Sequence, residues 1–231
     1  MRQIERTVKP KVVLFDVGNT LLHVPEDPHL TSLRTVSCLD VLSLSDYKAG
    51  IEQAKREWYE AGGAPEREDL SETWVDRYKR ALELAGFRGD VALTARRIEE
   101  SFLVVGWEVY PEANDVLSEL NRRSIRMGVV SNWTERLGVT LERAGLQKYF
   151  EVVVASGVVG YAKPHPEIYR FALKKLAVDP TETLFVGDSP ELDIEGPAAV
   201  GIPSVLIDRE RRFGNVGDRI ESLNGLLDRL L

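Results

Sequence analysis

At 231 residues the chain is long enough for one large domain, or for a domain carrying an insertion. Its 43% hydrophobic and 29% charged content is that of an ordinary soluble globular protein, and a net charge of -7 leaves no basic excess for a general nucleic-acid or membrane-surface binder. A single cysteine, Cys38, excludes an intramolecular disulfide framework and a cysteine zinc cluster. No apolar run approaches the ~20 residues needed to cross a bilayer, and the first ten residues lack an apolar signal core, so a reducing cytoplasm is expected.

Val12 to Phe15 form a short continuous apolar run ending in a lone carboxylate, Asp16, before Gly18-Asn19 break the pattern. Such a run fits a strand buried on both faces of a parallel sheet. Asp16 would then sit at the carboxyl edge of that sheet, where ligands bind. Alone, an Asp ahead of Gly-Asn is as well explained by a turn. Residues 23–30, with Pro25 and Pro28, read as a connection. From Thr31 to Gly106 the periodicity is helical, with no convincing strand. Ile51, Ala54, Trp58 and Ala61 share a stripe stopped by Gly62-Gly63, and Asp69 with Glu72 resembles a capping box. Trp74, Tyr78, Leu82 and Ala85 make a second stripe closed by Gly86, and Asp90 caps a helix running through Ile98 and Phe102. These stripes are expected to form the core of a small helical bundle.

From Tyr110 helix and strand alternate. Helices are expected over 111–123, 134–144, 166–177, 191–200 and 223–231, and strands over 126–131, 152–155, 183–188 and 204–207. This alternation predicts right-handed crossovers and a parallel sheet with helices on both faces. Together with 12–15 it gives an α/β, Rossmann-like five-stranded sheet. A helical-bundle cap is inserted after the first strand: residues 1–22 and 107–231 form the core, and 23–106 the cap. Arg122-Arg123 and Arg209-Glu210-Arg211-Arg212 read as solvated surface, although the second run follows the last strand and could rim a site.

The chemistry emerges when the strand ends are lined up. They carry Asp16, then Ser131-Asn132, then Gly187-Asp188-Ser189 with Asp193 five residues on, while Lys163-Pro164 follows the third strand. Carboxylates gathered in this way suit a hard cation such as Mg²⁺. A lysine and a hydroxyl suit the oxygens of a phosphoryl group. In these segments the sequence resembles the haloacid dehalogenase-like hydrolase superfamily, in its subgroup with a helical cap. Phe15-Asp16-Val17-Gly18-Asn19-Thr20-Leu21 corresponds to the nucleophile motif, usually Asp-x-Asp-x-Thr. Val130-Ser131-Asn132 matches the second motif, Lys163-Pro164-x-Pro166 the third, and Val186-Gly187-Asp188-Ser189 with Asp193 the fourth.

The resemblance implies an Mg²⁺-dependent phosphatase acting on a small phosphorylated metabolite, and the acidic net charge argues against a nucleic-acid or membrane partner. The resemblance implies that Asp16 attacks phosphorus and becomes an aspartyl phosphate. Ser131 and Lys163 would complete the catalytic set, and the phosphoryl oxygens would be bound by Gly18, Asn19, Ser131, Asn132 and Lys163. The metal would be held by Asp16, the Gly18 carbonyl and Asp188, with Asp193 supporting it, while Thr20 braces the loop. It also implies a central first strand flanked by the second and fourth.

The chain departs from the pattern at Gly18. The family's phosphatases carry there the aspartate that protonates the leaving alkoxide, and loss of a general acid of this kind costs typically ~10²–10⁴-fold. Three readings follow: a phosphatase using a replacement group or activated substrates, an enzyme working at a C–halogen or C–P bond, or a slow phospholigand-binding protein. His23 is the first replacement to test, set against a plain linker histidine.

Overall fold

The structure, a computed structural model, describes residues 10–25, 27–36, 41–60, 71–101, 106–214 and 218–230. Cys38, Ala61, Gly62-Gly63, Asp69 and Phe102 lie outside the described residues. Contacts divide the chain into two compact units, one running to His23 and again from Val109, the other from Val24 to Glu108.

The first unit is built on a six-stranded parallel sheet. In chain order its strands are β1 (Val12–Phe15), β4 (Arg126–Ser131), β5 (Val152–Ala155), β6 (Thr183–Gly187), β7 (Ser204–Ile207) and β8 (Arg219–Ile220); the spatial order is β5-β4-β1-β6-β7-β8. β1 is fully buried and pairs in parallel with β4 on one side and β6 on the other. The expected flanking strands are the ones found. Two short segments, β2 (Leu22–His23) and β3 (Glu108–Val109), make a separate two-stranded ribbon.

The remaining helices of this unit are α5 (Ala113–Arg122), α6 (Leu137–Arg143), α7 (Ser156–Val159), α8 (Pro166–Leu176), α9 (Gly196–Ala198) and α10 (Asn224–Arg229). On one face, Ile168, Tyr169, Ala172 and Leu176 of α8 pack with Val12, Leu14, Val130, Val154 and Phe185 of the sheet. The alternation of Val12 and Leu14 toward α8 follows from the two-residue period of a strand. α5 packs against β4 and α10.

The sheet has six strands where five were expected. β8 is two residues long and opens with a charged side chain, so it carries no apolar run to be read. It is held by the backbone bonds Leu206 N to Asp218 O (2.9 Å) and Asp208 N to Ile220 O (2.8 Å). The helix expected over 191–200 is instead a π-helical turn, Pro190–Glu195, running into α9. The Tyr169 hydroxyl donates to the Leu192 carbonyl, and the Gly196 N–H reaches back five residues to Glu191 O. That side-chain competition for a carbonyl widens the turn.

The second unit is helical: α1 (Pro28–Thr35), α2 (Leu44–Glu60), α3 (Ser71–Leu84) and α4 (Val91–Ser101). Its core gathers Leu33, Tyr47, Ala54, Val75, Tyr78, Leu82, Ala95 and Ile98, so the stripes serve as bundle core. α1 starts inside the segment read as a connection. Pro28 occupies its first turn, and the Asp27 carboxylate accepts from His29 N (3.0 Å) and Leu30 N (3.2 Å). A proline there is compatible with a helix start. No described helix is long and apolar enough to cross a membrane.

Candidate active site

Neighbouring strands of a sheet lie about 4.8 Å apart, so residues at equivalent ends of β4, β1 and β6 become neighbours. Ser131 closes β4, Asp16 follows β1 and Asp188 follows β6. Oxygens of Asp16, Asp188 and Asp193 all lie within 4.8 Å of one another. Ser131 Oγ donates to Asp16 Oδ1 at 2.9 Å, and Lys163 Nζ donates to the same oxygen at 2.6 Å and to Asp193 Oδ1 at 2.6 Å. Lys163 is 1% exposed and Asp193 equally so.

Each of these groups is fixed by backbone nearby. The Asn132 amide donates to Lys163 O (2.9 Å) and accepts from Lys163 N (2.7 Å), so it orders the segment that carries the lysine, whose bond to Pro164 is cis. Asp193 Oδ2 accepts from Ser189 N at 2.9 Å. Gly187 is needed beside it, because a Cβ there would overlap the Asp193 carboxyl group. Asn19 takes a left-handed conformation (φ 54°), and its Nδ2 donates to Asp188 Oδ2 at 3.3 Å. Gly18 sits half-buried in the same turn, where an added Cβ would meet only Trp133, at 4.0 Å.

The electrostatics are those of a site short of positive charge. Burial by itself would lower the Lys163 ammonium's pKa, but the carboxylates of Asp16 and Asp193 outweigh it and hold the lysine above its ordinary value. Asp188 is pushed up, first by burial and then by Asp16 and Asp193. Asp193 is also raised, by burial first, with Lys163 opposing and Asp16 adding. Three carboxylates face the Lys163 ammonium, with only the half-exposed Arg212 guanidinium near Asp188 besides, which leaves the cluster short of positive charge. A divalent cation with hard oxygen preference matches both the donor set and the deficit.

Two expectations are revised by neighbouring contacts. Thr20 Oγ1, expected to brace the loop, is buried and makes no hydrogen bond among the described residues. The arginine run is not wholly solvated surface. Arg209 donates from Nε to Asn19 O (3.2 Å) and from Nη2 to Thr20 O (2.9 Å), pairs through Nη1 with Glu112 Oε1 (2.7 Å), and stacks 3.4 Å over the Tyr110 ring. Arg212 Nη2 lies 3.9 Å from Asp188 Oδ2. Arg209 is two residues past the end of β7, near the same sheet edge as the other polar groups, and this was the available signal. His23 lies against the Tyr110 ring, with centroids 4.5 Å apart.

The sequence model of the haloacid dehalogenase-like hydrolase family matches residues 10–201. The chain is a haloacid dehalogenase-like hydrolase. It is 31% identical over 204 residues to the ribulose-1,5-bisphosphate 5-phosphatase of Halopiger xanaduensis, covering 85% of this chain and 84% of that one. It is 36% identical to the phosphoserine phosphatase of Thermus thermophilus over 138 residues, and 34% identical to human haloacid dehalogenase-like hydrolase domain-containing protein 3 over 137 residues. Those two matches cover 58% of this hydrolase and only 54% and 55% of the relatives' lengths. Among solved structures, magnesium-bound YfnB from Bacillus subtilis superposes with a TM-score of 0.78 at 21% identity, covering 96% of this chain and 99% of that one. The L-2-haloacid dehalogenase RSc1362 gives 0.72 at 20% identity, covering 96% and 99%. At such identities these structures establish the hydrolase's fold and nothing finer.

Proposed function

We propose that this hydrolase is a phosphatase of small phosphorylated metabolites, working through an aspartyl phosphate on Asp16. The carrying observation is the double grip on Asp16 Oδ1 by Ser131 and Lys163. It fixes one carboxylate oxygen and leaves the other to attack. That oxygen forms a bond to phosphorus while the bond to the leaving oxygen breaks and its electron pair departs with it. Water then attacks phosphorus, the Asp16–phosphorus bond breaks, and the carboxylate is regenerated. When substrate binds, the single Ser131 hydroxyl proton turns from Asp16 to a phosphoryl oxygen, while Lys163 keeps its hold on Asp16 and spreads positive charge over nucleophile and phosphate. The backbone N–H of Gly18 binds a remaining oxygen, whereas that of Asn19, expected to do the same, is committed to Leu22 O at 2.7 Å; Asn132 holds Lys163 in place.

Asp16, Asp188 and the Gly18 carbonyl would hold Mg²⁺, with Asp193 in support, and the ion when bound neutralises charge building on the phosphoryl oxygens. The helical unit, residues 24–108, is assigned the role of the cap that selects substrates. The relatives named as phosphatases of phosphoserine and ribulose bisphosphate support a phosphate ester as the substrate class. With Gly18 in place of the acid, the leaving group must depart unprotonated or take its proton elsewhere. Aryl and acyl phosphates are therefore the preferred probes.

The test is hydrolysis of an aryl, an acyl and an alkyl phosphate, with Mg²⁺ and with chelator, by wild type and Asp16→Asn, alongside chloride release from 2-chloropropionate. Turnover of the activated phosphates that needs Mg²⁺ and is lost in Asp16→Asn is the expected result. Chloride release without phosphate release would replace this reading with carbon–halogen cleavage.

A further inference from the structure

The turn that follows Asp16 is closed on itself. The N–H groups of Thr20, Leu21 and Leu22 all reach Val17 O, at 3.3, 2.9 and 2.9 Å, and Asn19 N reaches Leu22 O at 2.7 Å. These bonds leave the carbonyl oxygens of Asn19 and Thr20 directed to the Arg209 guanidinium. The threonine hydroxyl expected to tie this turn down makes no hydrogen bond among the described residues, so the tie has to come from elsewhere. We propose that Arg209 is a positioning residue for the nucleophile turn, acting through the carbonyls of Asn19 and Thr20.

Arg209 is built for this role. Its side chain is 18% exposed, and each of its three nitrogens has its own partner: Nε on Asn19 O, Nη2 on Thr20 O and Nη1 on Glu112. Glu112 is itself held by Ser222 Oγ (3.1 Å), and Tyr110 supports the flat face of the guanidinium. A planar fork holds donors on three separate nitrogens in fixed directions; an ammonium's three donors radiate from one atom on a flexible stem and do not span the same partners.

The loop bearing Arg209 is fixed in turn by Asp208, which is fully buried. Its carboxylate accepts from Arg212 N (2.8 Å), Phe213 N (3.1 Å) and Arg219 Nη1 (3.4 Å). The chain of contacts then runs forward: Arg209 holds the Asn19 carbonyl, and the Asn19 amide holds Asp188. One side chain thus sets the geometry between the nucleophile and the neighbouring carboxylate. Misplacement of a reacting group by an ångström costs about 10²-fold, which sets the scale of the effect.

The kinetic part of the test rests on the phosphatase reading; the structural part does not. Wild type, Arg209→Ala, Arg209→Lys and the control Arg211→Gln, whose exposed residue pairs with surface Glu221, are compared on para-nitrophenyl phosphate with Mg²⁺. Amide hydrogen exchange over residues 17–22 is followed in parallel.

The expected result for Arg209→Ala is a kcat about 10- to 100-fold lower with KM within about 3-fold, and faster exchange at 17–22. Added guanidinium is expected to restore part of the rate, Arg209→Lys to recover little, and Arg211→Gln to match wild type. Wild-type kcat and unchanged exchange in Arg209→Ala would overturn the proposal. So would a loss that tracks a lowered melting temperature and that guanidinium does not rescue. If Arg209→Ala does not fold, Tyr110→Leu carries the same comparison, since it removes the stack and keeps the charge. If wild type hydrolyses no phosphate, the phosphatase reading fails and exchange in the variants still decides the brace.

Discussion

Restoring a carboxylate at Gly18 tests the deficit directly. Gly18 does not lie in the left-handed region, and a Cβ there meets only Trp133 Cζ3, at an ordinary 4.0 Å. Gly18→Asp therefore carries no steric penalty and gains about 0.4–1 kcal/mol from a less flexible unfolded chain. Against this stands repulsion from the site's carboxylates, which Lys163 and a bound cation offset. Stability in Mg²⁺ should change by no more than about 1 kcal/mol. The rate should change far more. A general acid is worth about 10²–10⁴-fold, which is about 2.7–5.4 kcal/mol of barrier. That gain falls on poor leaving groups, so kcat for an alkyl phosphate should rise by at least about 10²-fold while aryl turnover moves little. The assay is steady-state phosphate release from a series of esters of graded leaving-group pKa, with melting curves as a folding check. A correctly folded Gly18→Asp with alkyl turnover within about threefold of wild type would refute the reasoning, as would a wild type already indifferent to leaving group.

Removing the lysine charge should make stability depend on pH. In Lys163→Met two buried carboxylates lose their shared partner, and breaking such a pair costs about 3–5 kcal/mol. Asp193 is already raised when folded, and a raised carboxylate contributes its stability below its unfolded pKa and loses it as pH rises through the folded one. Urea unfolding should show Lys163→Met far weaker than wild type at pH 8 and much closer to it at pH 5; a gap independent of pH would contradict this. Gly187→Ala would push the Asp193 carboxylate off Lys163 and Ser189, with an expected fall in kcat of about 10²-fold and destabilisation of about 1–3 kcal/mol by overpacking. Unaltered kinetics would show that Asp193 can shift without consequence. In the helical unit burial lowers the His29 pKa, with Asp27 and Glu52 opposing and Lys48 adding. A depressed histidine gives its stability above its unfolded pKa and loses it as pH falls, here below about 6.5, by up to about 1.4 kcal/mol per pH unit. Denaturant midpoints at pH 7.5 and 5 should therefore converge more in His29→Phe than in wild type, and equal drops would count against it.

The parts of the fold most legible in the sequence are those whose physics is local. Val152–Ala155 and Ser204–Ile207 are apolar runs in a parallel sheet, and their expected and observed bounds coincide. Gly145 stops α6 in the left-handed conformation, as its place after Ala144 predicts. Elements that depend on distant partners were not legible. β8 exists because Leu206 and Asp208 offer it a ladder, and the π-helical turn because Tyr169, twenty-three positions away, takes a carbonyl. The site divides in the same way. Asp16, Ser131, Lys163, Asp188 and Asp193 stand at strand ends or in a motif and were found together. Arg209 looked like one charge in a surface run, because nothing local shows that its fork meets two carbonyls about 190 residues away.

The central position of β1 also has a consequence in time. Phe15 is made early, but its partner Val186 follows about 170 residues later, so at 5–20 residues per second the strand waits roughly 10–30 s on the ribosome for its second neighbour. Through that interval Val12-Val13-Leu14-Phe15 is the kind of apolar, β-prone segment that associates with copies of itself. A charge stands at each end of it, Lys11 before and Asp16 after, in the positions where flanking charges suppress such association. Asp16 thus has a first task, before there is any sheet: keeping nascent chains apart.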